Sequence, residues 1–345
     1  MIRRSVPLFF ALMVAAASAW AVNYTNDVLE IGVGARALGM GGSYVALADD
    51  STATYWNPAG LTSIKHMEVA IVQQGTENAP AALGTNDVGS QYFFMSGGMT
   101  LPKIGSLGVA VMRFGVDGIP QIPATVNGQV PCSTCPPPNQ IGTFGTQDVA
   151  VLLSYAKTVH PAVDLGLTAK ILTGGTSGLV ADATTGITGN YSYNYFGLDL
   201  GVIVKFGVLT SALEGLNLGV NLQDLANSGV KWNTSTSPDE SVPMNAKSGL
   251  AYSLPFDFLK DNHSKFTLTT DIDPKYSTLV HYGAEIWYKD TLAFRAGMRQ
   301  FTSGQQANEA SFGASFRLFS IIQVDYAYID YELTPIQYIS MLVRF

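Results

Sequence analysis

Tyr195–Phe206 reads YFGLDLGVIVKF. Phe196, Leu198, Leu200, Val202, Val204 and Phe206 fall on one face of an extended chain. Gly197, Asp199, Gly201 and Lys205 fall on the other, with Ile203 the apolar exception. Successive side chains of a strand point to opposite faces, so this segment has one greasy side and one small or charged side. Leu292–Gln300 repeats the pattern, with Leu292, Phe294, Ala296 and Met298 opposite Ala293, Arg295, Gly297 and Arg299. Ala310–Phe319 does so again, with Phe312, Ala314, Phe316 and Leu318 opposite Ser311, Gly313, Ser315 and Arg317.

A soluble sandwich alternates in the same way, but three features favour a barrel in lipid. The segments run to about ten residues, the length of a tilted strand crossing a bilayer. Tyr326, Tyr328 and Tyr331 gather at a segment end, where an interface girdle would lie. The connections also sort by parity. Strands are expected near Met67–Gln74, Gln91–Thr100, Ser106–Val116, Gln147–Thr158, Val163–Thr173, Tyr193–Phe206, Leu216–Gln223, Asn245–Leu254, Lys265–Asp273, Leu279–Lys289, Leu292–Phe301, Glu309–Phe319, Ile322–Tyr331 and Ile336–Phe345. Those following odd strands are often long (Gly75–Ser90, Asp117–Thr146, Gly174–Ser192, Asp224–Met244). Those following even strands are mostly short (Leu101–Gly105, Val159–Ala162, Asp290–Thr291, Ser320–Ile321). Long outer loops and short periplasmic turns give this asymmetry, and a sandwich has no reason to. The expected fold is all-β: a transmembrane antiparallel barrel of about 14 strands over residues 67–345.

Composition agrees. A chain of 345 residues would ordinarily suggest about two domains. Charged residues are only 13%, against roughly 25% in an ordinary soluble protein. Hydrophobic residues make up 47% and there are 35 glycines. A net charge of -7 argues against nucleic acid as a partner, because phosphate binding needs a basic surface.

The two ends carry processing signals. Arg3 and Arg4, the apolar run Val6–Ala17 and Ala19-Trp20-Ala21 read as a signal peptide over residues 1–21, too short to span a bilayer. No later stretch approaches the ~18 continuous apolar residues of a membrane helix. At the other end IQYISMLVRF places Ile339, Met341, Val343 and Phe345 on one face. A terminal Phe closing an alternating strand resembles the recognition signal read by the barrel assembly machinery. These features place the chain in the bacterial outer membrane as a multi-pass barrel, with outer-membrane lipid around it.

Gly34–Leu61 reads GARALGMGGSYVALADDSTATYWNPAGL. Glycines cluster at Gly39, Gly41 and Gly42, and a helical patch follows. Asp49 or Asp50 can cap it, because a short carboxylate accepts orphan backbone N–H groups. Asn57-Pro58 should end it, because the residue before proline avoids the helical region. ALGMGG, ALADD and YWNPAGL, at these spacings, resemble the PorV/PorQ branch of the FadL-type outer-membrane proteins. The resemblance implies a hatch over residues 22–66, inside or beneath a fourteen-stranded barrel. Its motif falls here on Gly39, Gly41, Gly42, Asp49, Asp50, Tyr55, Trp56, Asn57, Pro58, Ala59 and Gly60.

The resemblance also implies two functions. PorV-like barrels are accessory to type IX protein secretion, receiving cargo for export or surface attachment. Secretion components and cargo proteins would then be partners, with Asp117–Thr146 and Asp224–Met244 as docking surfaces. The alternative is FadL-like uptake of hydrophobic small molecules across the outer membrane. That needs an apolar pocket and a lateral opening, which a strand kinked at Gly201 or Gly219 would permit.

Catalytic chemistry is hard to find. Gly32–Ala37 fits GxGxxA, but no strand precedes it, as a dinucleotide site requires. Cys132 and Cys135, in PCSTCPPP, are the only cysteines; an exported loop meets an oxidising compartment and a local disulfide is expected. His66, His160, His263 and His281 are scattered, without metal spacing, and no GxSxG elbow occurs. No enzyme, cofactor or metal is expected. The polar faces carry Asp164, Lys170, Asp199, Asp271, Glu285, Arg295, Arg299, Arg317 and Asp325, which inside a barrel would pair with one another and with the hatch.

Overall fold

The computed structural model describes residues 27–75, 89–121, 142–179, 189–226, 228–233, 240–255, 263–275, 278–302, 307–332 and 335–345. Its strands are β1 (Met67–Gly75), β2 (Gly89–Leu101), β3 (Gly105–Gln121), β4 (Gly142–His160), β5 (Val163–Ser177), β6 (Ser192–Lys205), β7 (Leu216–Gln223), the short β8 (Gly229–Trp232) and β9 (Glu240–Ser241), β10 (Asn245–Pro255), β11 (Lys265–Asp273), β12 (Leu279–Tyr288), β13 (Leu292–Phe301), β14 (Glu309–Leu318), β15 (Ile322–Asp330) and β16 (Ile336–Arg344). Fourteen of them form one closed antiparallel barrel. Each pairs with its neighbour in sequence, β7 pairs with β10, and β1 pairs with β16 from Glu68↔Arg344 to Gly75↔Gln337. The short β8 and β9 pair with each other, and β8 continues the wall beside the upper part of β6. No helix among the described residues is long and apolar enough to cross a membrane.

The alternation fixes which face is outside. On β6, Phe196 is exposed and Asp199, Gly201 and Ile203 are buried. Ile171, Leu153, Phe294 and Phe312 are likewise exposed, on strands far apart around the barrel. Water does not tolerate an apolar surface of this extent, and lipid does.

Strands β2 to β5 run longer than the sequence pattern indicates. β4 has 19 residues, where about 9–11 cross a bilayer. The extra length lies where the outward residues turn polar: Arg113 donates to Gln147 Oε1 at 3.1 Å, and Gln91 to Asp117. Backbone pairing continues after the apolar signal stops, so the loop expected over Asp117–Thr146 narrows to 122–141. Phe206, expected in a strand, begins a one-turn helix Phe206–Leu209. Tyr331 also differs from expectation. It lies inside, under the Arg299 guanidinium at 5.7 Å, not in an outer girdle.

Candidate functional site

The barrel is filled by Asp27–Ile64, which makes four short helical pieces: Asp27–Glu30, Ala35–Leu38, Ala53–Trp56 and Pro58–Ser63. After Ala35–Leu38 the chain reverses through Gly41 (φ 67°) and Gly42 (φ 76°), a left-handed pair that glycine adopts without strain. Gly42 N donates back to Ala37 O at 3.0 Å. Neither of the two aspartates expected to cap the following helix is its N-cap, which is Thr52; Asp50 Oδ1 supports that residue by accepting from Thr52 N at 2.9 Å. Asp49 turns instead to Arg36. Asn57 is extended and ends the helix. Its Oδ1 accepts from Ala59 N at 3.2 Å, and its Nδ2 donates to Val45 O at 2.9 Å and to the β6 carbonyl of Val202 at 3.2 Å. Pro58 opens the last turn without a missing donor.

The wall admits this segment through glycines. A Cβ on Gly297 would sit 2.1 Å from Gly41 N, and one on Gly166 would sit 2.3 Å from Ala59 N. Gly201 and Gly219, expected to allow a kink, lie in paired strands and face inward against Asn57 and Val45. They mark close backbone approach.

Two ionic clusters tie the segment to the wall. Toward the short-turn end, Arg36 grips Glu285 with two bonds, Nε to Oε2 at 2.8 Å and Nη2 to Oε1 at 2.9 Å. Its Nη1 reaches Asp49 at 2.5 Å and Tyr44 Oη at 2.8 Å. Arg295 Nε donates to the same Glu285 at 2.6 Å, and its Nη1 lies 3.4 Å from Asp325. Burial pushes the Asp49 carboxyl up, but Arg36 outweighs it, aided by Lys265, and holds it below the usual carboxylate range. Asp50, buried beside Asp49, lies above that range.

Toward the long-loop end the cations are lysines. Glu30 accepts from Lys275 Nζ at 2.7 Å and Lys247 Nζ at 3.4 Å. Lys247 reaches Asp273 at 2.8 Å, and Lys275 reaches Asp224 at 3.3 Å. Asp224 in turn meets Lys170 at 2.6 Å, and Lys170 meets Asp199 at 2.8 Å. Burial raises the Asp224 carboxyl, but Lys170 and Lys275 outweigh it and leave it below its ordinary range.

Beside this lysine network lies a cavity of about 390 Å³. Its floor is Ile31, Leu38 and Trp56 of the inner segment, and its wall includes Leu279, Phe301, Ile329 and Tyr331. Trp56 Nε1 donates to Val33 O at 2.9 Å and Tyr55 Oη to Leu29 O at 2.6 Å, so both rings are held by their polar ends and present their apolar bodies. His281 Nδ1 meets Gly41 O at 2.6 Å, a pairing that puts the proton on Nδ1. Of its charged lining, Arg299 pairs with Glu309 and Lys247 with Asp273, while Asp271 accepts from Tyr44 N at 2.6 Å and Val45 N at 2.8 Å and has no ion pair among the described residues.

The motif residues come together inside the barrel. Gly39 packs on Gly313, Gly41 on the Met298 backbone and Gly42 on His281. Gly60 lies so close to Ala48 O that a Cβ would come within 2.0 Å. Ile339 and Met341 are exposed on the outer face of β16 and Val343 is partly exposed there, while Phe345 follows the strand and is exposed. Cys132 and Cys135 lie outside the described residues. The sequence reading did not single out Arg36, Glu30, Lys247, Asp273 or Lys275. A signal existed for two of them: Arg36 is the one charge in a long glycine- and alanine-rich run, and Lys247 sits on the small-residue face of Asn245–Leu254. Among the described residues no group of three His, Cys, Asp or Glu is placed to hold a metal ion.

No protein-family model matches the chain, and no curated protein matches it. Solved structures do. The toluene transporter TbuX of Ralstonia pickettii superposes with a TM-score of 0.58 at 13% identity, covering 91% of this chain and 98% of that one. The monoaromatic hydrocarbon channel CymD gives 0.57 at 14% identity, covering 91% and 98%. A FadL homologue of Pseudomonas aeruginosa gives 0.51 at 11% identity, covering 96% and 100%. The likeness is one of fold, shared with a transporter, a channel and a FadL homologue.

Proposed function

We propose that the protein sits in the bacterial outer membrane, with its long loops outward and its termini periplasmic, and passes hydrophobic small molecules inward. The observation that carries this reading is the aromatic and aliphatic cavity of about 390 Å³ between inner segment and wall. Most of its charged lining is held in ion pairs, Asp271 excepted, so a solute gains from leaving water against the apolar part of the lining. Neighbours of the same fold carry toluene and other monoaromatic hydrocarbons. Residues 22–66 act as the hatch, and a solute reaches the periplasm when that segment shifts. Outer-membrane lipid surrounds the barrel. The barrel assembly machinery recognises its last strand through Ile339, Met341, Val343 and Phe345.

A second reading rests on the motif set ALGMGG, ALADD and YWNPAGL, which resembles the PorV/PorQ branch. On that reading the barrel serves type IX secretion and its outer loops receive cargo. One experiment separates the two: delete the gene and measure both growth on a hydrophobic carbon source and the surface attachment of secreted proteins. Uptake predicts lost growth with normal secretion. Normal growth with unattached cargo would overturn uptake in favour of export.

A further inference from the structure

Below the inner segment, at the short-turn end, lies a second cavity of about 600 Å³. Five of the chain's 19 lysines and arginines line it, namely Arg36, Lys65, Lys265, Arg317 and Arg344. Asp49, Glu68 and Asp290 line it too, so five cations and three carboxylates leave a local +2 in a chain that is acidic as a whole, at -7. Arg36 is paired with Asp49 and Glu285, and Arg344 with Glu68 at 2.9 Å. Among the described residues, Lys65, Lys265 and Arg317 have no carboxylate at ion-pair distance.

The two arginines share one neutral acceptor. Arg317 donates to Gln323 Oε1 from Nε at 3.1 Å and Nη2 at 2.8 Å; Arg344 donates to the same oxygen from Nη1 and Nη2, both at 3.2 Å. An amide oxygen offers two lone pairs, so four N–H groups oversubscribe it. Arg317 Nη1 meets no acceptor among the described residues. The Arg317 guanidinium stacks 4.2 Å from the Trp287 ring, which fixes its plane where it lines the cavity. Guanidinium pairs of this kind bind oxyanions through parallel N–H bonds. Close by, the rim is apolar and open: Phe319 is 84% exposed and Phe345 68%.

We propose that this vestibule binds the phosphate group of an amphiphile, with the anion on Arg317 and Arg344, Lys265 nearby, and the apolar part over Phe319 and Phe345. Lys65, Lys265 and Arg317 each lack a carboxylate at ion-pair distance among the described residues, and a phosphate offers more oxygens to them than a carboxylate does. The phosphate has two possible sources, the headgroup of a phospholipid in the periplasmic leaflet and a free phosphate compound.

The test uses the full mature barrel in a neutral detergent. Binding of short-chain phosphatidylglycerol, inorganic phosphate and diacylglycerol of the same chain length is measured by native mass spectrometry. Phosphatidylglycerol should bind, and Arg317→Gln should weaken it at least about tenfold, as loss of a charge-assisted pair does. Arg113→Gln, on the outer face, should leave it unchanged. Binding of phosphatidylglycerol alone identifies a lipid headgroup; equal binding of inorganic phosphate identifies a free oxyanion. Folding is checked by heat-modified migration, and Lys265→Gln replaces Arg317→Gln if the latter does not fold. Phosphatidylglycerol binding no tighter than diacylglycerol, with no phosphate bound, overturns the proposal, as does equal binding by wild type and variant.

Discussion

Glu30 and Arg36 leave the same inner segment six residues apart, and both reach charged groups of the wall. Arg36 does so with a planar fork, two bonds onto one carboxylate whose side chain is 1% exposed, and a second arginine closes the same carboxylate from the wall. Glu30, 26% exposed, meets two lysines, each with another carboxylate to turn to. A guanidinium fork is directional, whereas an ammonium is a point charge on a flexible stem. One end of the segment is therefore locked and the other tethered. The tethered end borders the apolar cavity, so the proposed path for a solute begins where the contacts are cheapest to rearrange.

The sharpest way to break this contrast is to remove the central charge at each end. Glu285→Gln keeps the shape but leaves Arg36 and Arg295 in a buried site without it. A loss of about 3–5 kcal/mol is expected, as for other broken buried pairs. Glu30→Gln leaves Lys247 on Asp273 and Lys275 on Asp224, and should cost less than about 1 kcal/mol. Urea midpoints in detergent, with heat-modified migration, read both. Equal losses would mean that the ends are equivalent.

The contrast also depends on the close seat of the segment. Gly297→Ala places a methyl 2.1 Å from Gly41 N and from Met40 C. An overpacking cost of about 1–3 kcal/mol is expected, and the displaced segment should admit small hydrophilic solutes in liposome swelling. An unchanged midpoint and a closed barrel would show that the segment yields elsewhere.

How far these features can be read in the sequence follows the same division. The barrel was legible because lipid demands apolar residues at every second position, as Phe196–Val204 show, and because the pattern repeats strand after strand. The motif glycines were legible as a cluster, but their partners were not. Gly297 is one alternating glycine among many until Gly41 is placed against it. The ion pairs join residues up to 276 positions apart, as for Glu68 and Arg344, and charge identity alone does not say which acid meets which base. The upper ends of β3 and β4 escaped notice for another reason: outside the bilayer their exteriors are polar, and periodic hydrophobicity, the signal in use, ends there.

A smaller effect is expected from loosening the tethered end without unfolding it. Lys247→Met removes the bridge from Asp273 to Glu30 but keeps the aliphatic stem against the cavity. Uptake of a hydrophobic solute into liposomes should rise about threefold, corresponding to less than about 1 kcal/mol of lost restraint. The urea midpoint should fall, but less than for Glu285→Gln, because Asp273 loses its lysine and keeps the Asn245 amide at 2.8 Å. A slower uptake would mean that Lys247 contributes to solute binding, not to closure.

Salt gives the smallest effect and the finest discrimination. Raising ionic strength from 0.1 to 1 M shortens the Debye length from about 10 Å to about 3 Å. Glu30 is partly exposed, so its attraction to Lys247 and Lys275 is screened; Glu285, enclosed by Arg36 and Arg295, is reached far less. Uptake by the wild type should therefore rise with salt by less than about twofold. General effects of salt on the solute and the lipid act on every variant alike. The comparison that isolates the tether is Lys247→Met, in which one screened pair is already gone, so the rise should shrink. If the variant responds to salt as strongly as the wild type, the lysine network is not what holds the segment over the cavity.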